Sequence, residues 1–525
     1  MEPKSVESFE SLVSRVSDRV GSKLRAWLAR TEKGDNVDLR SQLWHSEPRG
    51  SVIDRVKREV LDHFELFSPL DDFEIKEEGK IGAYSIQLPW SERRSNIRAF
   101  WQDRTNPPFT SKPYLDALRK VASLVPTSSL SPLSLDDALD TVARNTLSGL
   151  PSYEKKGIVL GQLGRRARDL LNSGEGKLWP SVDGWRGQPT GPSTPPKQRD
   201  IWIYDALDNV IGAMFLYPVL DALRSNQLFA AYTNLREVDT TITRMLATAH
   251  QYKVNIYSTD FDQFDATVPG RVIQDIASIV KDWFTMSDSE GLAFDNIVDW
   301  FITGTILTPD GVLGDREGGI PSGANFTSLF GSLINYFAHE YVAHTTGSTL
   351  RSATFLGDDA VTVFDPDPGA EVISSKVGEL NLVQNTSKQF VSKNSVHYLQ
   401  RVHSVDYSRD GVNVGVRPIM RALNGMLSYE RRRPKSEWSK WMAAARTIMQ
   451  LENTSSHPAF SEFVEFTVQG DGVLSSFDPV EIFSRAGGTA EVEEVLGYKA
   501  FPFTSASVRG VATFETTKLL RSRLK

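Results

Sequence analysis

With 525 residues and 40% hydrophobic content, the chain is long enough for two to four domains and for a substantial core. A formal net charge of -7 excludes a protein that coats nucleic acid with its whole outer surface, because phosphate binding needs local positive potential. The count of 0 cysteines excludes disulfides, zinc thiolates and a cysteine nucleophile together.

The opening MEPKSVESFE lacks the basic-then-apolar order of a secretory signal, and the most apolar run, 210–220, falls well short of the roughly 20 residues that span a bilayer. An intracellular or intraparticle setting without a membrane is therefore expected. Val6, Phe9, Leu12, Val13, Val16, Val20, Leu24 and Leu28 recur at helical spacing, which predicts one amphipathic helix that must pack on something. A second helix is predicted from about 51 to 67. Residues 184–200, rich in Pro and Gly, read as a long loop running into a β-like IWIY. Arg165, Arg166 and Arg168, then Lys197 and Arg199, then Arg431, Arg432, Arg433 and Lys435 are local basic clusters; each alone is most simply a solvated face.

From Val254 the pattern changes. VNIYSTD predicts a strand with Asp260 at its end, and SATFLGDDAVTVF predicts a β-hairpin with Gly357, Asp358 and Asp359 at its tip. Between them a glycine-rich loop leads into a helix on which Phe326, Leu329, Phe330, Leu333 and Phe337 form an apolar stripe. After about residue 405 the chain reads as mostly helical.

If the two acid-bearing strand ends are neighbours in one sheet, three carboxylates meet. Like charges so close need cations between them, and hard oxygen ligands select Mg²⁺ or Mn²⁺. A GDD arises by chance in roughly one chain of this length in eight, usually as an ordinary hairpin turn. The ordered set of motifs, rather than any one of them, therefore carries the argument.

STDFDQFDATV, GIPSGANFTSLFGSLIN and FLGDDAVTVF resemble motifs A, B and C of viral RNA-dependent RNA polymerases, in that order. NTLSGLP resembles motif G, KQRDIWIYDAL motif F, and TSKQFVSKNSVHYLQRVH motifs D and E, so the resemblance covers roughly residues 145 to 405. Its wording is most similar to the polymerases of the double-stranded RNA picobirnaviruses, with those of partitiviruses next. The resemblance implies an α+β right-hand fold with fingers, a palm with an antiparallel sheet flanked by helices, and a helical thumb. The expected divisions are 1–70, an N-terminal helical bridge between fingers and thumb; 71–204, fingers; 205–270, palm with motif A; 271–316, a fingers and palm insertion; 317–404, palm with motifs B to E; and 405–525, thumb and tail.

The resemblance also implies roles. Asp260, Asp358 and Asp359, with the Phe261 carbonyl, would hold two Mg²⁺ or Mn²⁺ ions, and Lys388 would be the general acid, with Lys393 the alternative. Lys197, Arg199, Asp265, Ser322, Gly323, Thr327 and Asn335 would bind the incoming nucleotide. Thr146, Ser148, Gly149 and Pro151 would line the template path. Many relatives carry Asn nine residues after the motif B serine, whereas this chain has Gly331, so Asn335 is the expected substitute near the ribose. Implied partners are template and product RNA, nucleoside triphosphates and a capsid protein. A monomer is expected, working in the virion interior and host cytoplasm on a double-stranded RNA genome. A reverse transcriptase is the nearest alternative, disfavoured because Asp265 accepts a hydrogen bond where such an enzyme needs bulk. The other is an inactive RNA-binding particle protein, which intact carboxylates disfavour.

Overall fold

The computed structural model describes residues 3–102, 104, 106–174, 177–191, 198–384, 389–432, 438–496 and 510–523. The chain forms two compact units: 1–33, 89–185 and 200–396 make the first, and 34–88, 186–199 and 397–525 the second. The strands in chain order are β1 (Lys4–Glu7), β2 (Ser181–Gly187), β3 (Gln198–Ile203), β4 (Ile256–Thr259), β5 (Ile306–Thr308), β6 (Gly311–Gly314), β7 (Thr349–Leu356), β8 (Asp359–Asp365), β9 (Phe390–Ser392), β10 (Ser395–Tyr398) and β11 (Arg401–Ser404). They form a five-stranded sheet in the order β1-β6-β5-β2-β3, a four-stranded sheet β7-β8-β4-β9, and the pair β10-β11.

The four-stranded sheet positions the candidate site. All of Ile256 to Thr259 is buried because β4 lies between β8 and β9, antiparallel to both. Against this sheet packs the helix Thr327–Thr346, with Lys112–Ala122 beside it. The apolar stripe expected on the long helix is there, but burial is continuous from Leu329 to Ala343, because neighbouring elements cover the polar side too. Ser332, Asn335 and His339 are fully buried. A group buried this way must find partners inside the protein. The apolar run at 210–220 belongs to the helix Ala206–Leu223, which is long and apolar enough to cross a membrane; two thirds of it (67%) is buried within the protein, in the main core of the first unit.

The N-terminal pattern breaks into three pieces. Lys4–Glu7 joins the free edge of β6 as a strand, Ser8 caps Phe9–Ser14 by accepting the Ser11 N–H, and a second helix runs over Asp18–Lys33. Leu12, Val13, Val20, Leu24 and Trp27 pack against Leu150, Tyr153, Val182, Leu307 and Val312. Lys23 and Arg19 pair with Glu154 at 2.6 and 2.9 Å, so the same helix also grips the loop after Gly149. Leu24 is fully buried, and Leu24→Ala should cost about 2–5 kcal/mol by transfer and cavity terms. Urea unfolding of the first unit tests this: a variant that melts with the parent would take the helix off the core.

The stretch 1–70, expected as one region, divides after residue 33. Within the second unit, Val52, Val56, Val60 and Ile81 pack with Ile419, Leu423, Leu451 and Phe463. The predicted helix near 51–67 is Arg49–Glu59 followed by a 3-10 turn at Leu61–His63. Glu74 accepts the N–H groups of Ile419 and Met420 at 2.6 and 2.9 Å, an anionic cap on Ile419–Leu427 supplied from far away in sequence. Residues beyond 405 are largely helical, as expected, through Lys440–Glu452, Phe460–Gln469 and Glu515–Arg523. The loop expected over 184–200 is shorter, since both of its ends are strands β2 and β3.

Candidate active site

β4 and β8 are in register with Thr259 opposite Ala360. The next residues along, Asp260 on one strand and Asp359 on the other, therefore leave the sheet side by side. The β7-β8 hairpin pairs Leu356 with Asp359, so its loop is only Gly357 and Asp358. Gly357 takes φ +60°, a conformation that favours glycine at the first position of a two-residue hairpin. The three aspartates thus share one end of the sheet, and Asp358 and Asp359 are half-buried. Among the described residues no three acidic or histidine side chains are gathered tightly enough to hold an ion as they stand. The strand ends that carry them are neighbours in one sheet, as expected. Oxygen donors on a rigid sheet end nevertheless match what Mg²⁺ or Mn²⁺ requires.

The loop before the helix Thr327–Thr346 is built from several directions. Ile320 N–H donates to the Asp265 carbonyl at 2.5 Å, and Trp202 N–H donates to the Ser322 carbonyl at 2.8 Å. Gly323 has φ +121°, and a Cβ there would lie 2.3 Å from the Trp202 carbonyl oxygen, so no other residue fits. Thr327 Oγ1 donates to the Pro321 and Ala324 carbonyls at 2.7 and 2.9 Å. Arg316, buried by the loop, donates to the carbonyls of Phe301 and Gly318 at 2.7 Å each and to that of Gly319 at 3.1 Å. Burial pushes its guanidinium pKa down to about 10. Sequence reasoning missed Arg316: it bonds backbone carbonyls and stacks over the Trp202 ring, 4.7 Å away, and contacts made to remote backbone and rings carry no local sequence signal.

Asp265 lies in the short helix Phe264–Thr267, whose cap is Gln263, so its carboxylate is not the capping group. Asn335, expected near the ribose, is fully buried, and its Nδ2 donates to the carbonyls of Gly357 and Asp358 at 3.0 Å each, so its amide nitrogen is engaged with the hairpin. Gly331 has a physical reason: a Cβ there would approach Gly357 Cα to 3.3 Å.

Of the residues expected on the template path, Thr146 is exposed but Ser148 is buried, its hydroxyl accepting Glu154 N–H at 3.2 Å. Ser148 therefore shapes its loop and does not line a surface. Gly149, at φ +62°, permits a contact in which a Cβ would lie 2.1 Å from the Tyr204 carbonyl oxygen. Arg166 is committed to Asp205 through two bonds at 2.9 and 2.5 Å. Arg199 is exposed on β3, while its neighbours Gln198 and Asp200 point inward. Lys197, Lys388, Arg433 and Lys435 lie outside the described residues.

Behind β3 sits a charged group with no local sequence signal. Arg93, on the helix Trp90–Arg98, donates to Asp183 at 2.5 Å and to Asp200, all three being buried. Burial pushes Asp183 up to about 6 and Asp200 up to about 8, the latter also through the repulsion of Asp183.

An antiparallel sheet with aspartates at the ends of adjacent strands, and a glycine loop opening a buried helix beside them, defines a right-hand nucleotide polymerase. Residues 121–454 match the family model described as viral RNA-dependent RNA polymerase. A potential RNA-dependent RNA polymerase of human picobirnavirus is 27% identical over 471 residues, covering 85% of each chain. An RNA-directed RNA polymerase of Cryptosporidium parvum virus 1 is 26% identical over 253 residues, 45% of this chain and 47% of that one. The crystal structure of the RNA-dependent RNA polymerase of a human picobirnavirus superposes with a TM-score of 0.81 at 24% identity, over 98% of this chain and 99% of the other. The Sicinivirus 3Dpol structure gives 0.57 at 14% identity, over 70% and 82%. This chain belongs to the viral RNA-dependent RNA polymerases, and is an RNA-directed RNA polymerase homologous to that of picobirnavirus.

Proposed function

We propose that the chain adds ribonucleotides to an RNA 3′-hydroxyl by a two-metal reaction, to replicate and transcribe a double-stranded RNA genome. The observation that carries the reading is the β4-β8 register, which sets Asp260 beside Asp359 with Asp358 in the adjoining turn. Asp260, Asp358 and Asp359, with the Phe261 carbonyl, would hold Mg²⁺ or Mn²⁺; such a pair, when bound, eases ionisation of the attacking hydroxyl and neutralises the leaving oxygen. The 3′-oxygen attacks the α-phosphorus as the bond to pyrophosphate breaks. Lys388 supplies the leaving group's proton, and Lys197 and Arg199 hold the triphosphate, where fixed cationic donors suit its oxygens. Ser322 and Gly323 present the loop to the nascent base pair. The homologue's double-stranded RNA virus origin supports a capsid protein as partner and a virion interior and host cytoplasm as its setting, with the polymerase acting as a monomer.

Asp265 accepts the 2′-hydroxyl of the incoming nucleotide, directly or through Ser322 or Thr327. A site that bonds a hydroxyl rejects the analogue lacking it. Purified protein with an RNA template, Mg²⁺ or Mn²⁺, and either ATP or dATP tests both levels. The parent should extend RNA with strong preference for ATP, and Asp265→Ala should narrow that preference by about tenfold or more. No extension by the parent would overturn the polymerase reading; extension with the preference unchanged in the variant would remove only Asp265 from the sugar site.

A further inference from the structure

The turn that presents Asp358 and Asp359 is held from behind by one face of the helix Thr327–Thr346. Ser332 Oγ accepts the Gly357 N–H at 2.8 Å and donates to the Ser328 carbonyl at 2.7 Å. The Tyr232 hydroxyl lies 2.9 Å from the same oxygen, bracing it from a third direction. One helical step along the face, Asn335 Nδ2 bonds both loop carbonyls, those of Gly357 and Asp358. Gly331 sits against the same turn and lets the helix come this close. Three polar backbone groups of a two-residue loop, which an isolated hairpin would leave to water, are thus taken by two fully buried side chains.

We infer that Ser332 and Asn335 are positioning residues for catalysis: they fix the backbone of Gly357 and Asp358, and with it the direction in which the Asp358 and Asp359 carboxylates leave the sheet. The inference rests on the polymerase reading above. A local tether of this kind matters more for chemistry than for folding. Displacing a reacting group by about 1 Å can cost about a hundredfold in rate, while the surrounding strands and helix keep their packing.

The test compares Ser332→Ala, Asn335→Ala and the double variant with the parent. Measured quantities are kcat, nucleotide KM, RNA affinity, melting temperature, and Mn²⁺ binding to the protein alone by calorimetry. Each single variant should lose about 10- to 100-fold in kcat, with KM and RNA affinity within about threefold. Mn²⁺ binding should weaken several-fold. The double variant should be little worse than the poorer single one, since both act on one turn. Variants that melt near the parent and keep its kcat and Mn²⁺ affinity would overturn the inference. So would a loss of rate that only tracks the unfolded fraction with Mn²⁺ affinity unchanged. If an alanine variant does not fold, Tyr232→Phe withdraws a single hydroxyl from Ser332 and should lower kcat by a few-fold; parental kcat and Mn²⁺ binding there would overturn it. A parent protein that extends no RNA would sink the polymerase reading, whereas an active parent with normal variants sinks only the positioning role.

Discussion

Asp358→Ala abolishes nucleotide addition, by more than about a thousandfold or roughly 4 kcal/mol of transition-state stabilisation, and leaves the fold intact. The first half follows from where the side chain stands. Asp358 is one of two residues in the β7-β8 loop, beside Asp359, and Asp359 is set against Asp260 by the strand register. Few other carboxylates can move in, because the loop is too short to slide. The second half follows from what holds the turn. Its conformation is fixed by Gly357 at positive φ, by Ser332 on the Gly357 N–H, and by Asn335 on the two carbonyls, none of which involves the Asp358 carboxylate. Removing one of three neighbouring anions also relieves repulsion, so the variant should melt no lower than the parent. Single-nucleotide extension with matched circular dichroism melts measures both. Incorporation at the parental rate by the folded variant would withdraw Asp358 from the reaction.

The parts of this site legible in the sequence were those written in local pattern. β4 announced itself by apolar alternation ending in Asp260, and the hairpin by Gly357 and two aspartates between β-branched runs. The helix after the glycine loop showed its stripe of Phe and Leu. Elements whose partners are remote were not legible. Val6 continues the helical spacing of Leu12 and Val13, yet it lies in a strand because β6 offers an open edge there. Ser8, whose hydroxyl caps the following helix, was the local sign of that break. The division after residue 33 depends on what each segment packs against, which no window of sequence contains. Asn335 could be counted along its helix from Gly331, but its target is a turn reached only when the hairpin folds over that helix. Ser148 was placed on the template path by the resemblance of NTLSGLP to a polymerase motif; its burial comes from the return of the chain through Glu154, which that motif does not show.

The Arg93 group is the most extreme of these remote assemblies, and Arg93→Ala should destabilise the first unit by about 3–5 kcal/mol at pH 8. Its three members come from three separate segments: a helix at Trp90–Arg98, β2 and β3. One guanidinium serves two buried carboxylates, which is why burial and mutual repulsion already hold Asp200 near 8. Without the cation, both acids would be left charged in a dry site or would have to take up protons. Their folded pKa values would then rise further above the unfolded value of about 3.9, so the native state would bind more protons than the unfolded one. Stability of the variant must therefore fall as pH rises through neutrality, and the penalty should shrink at pH 6, where the acids are more easily protonated. Asp200→Asn in the parent should act in the opposite sense at pH 8, because it leaves one carboxylate for one cation. Placed on top of Arg93→Ala, it should recover part of the loss, and more of it at pH 8 than at pH 6. Urea midpoints of the four proteins at the two pH values settle the matter: an Arg93→Ala penalty independent of pH, with no recovery from Asp200→Asn, would mean that the arginine holds this sheet by packing on Trp90 and not by its charge.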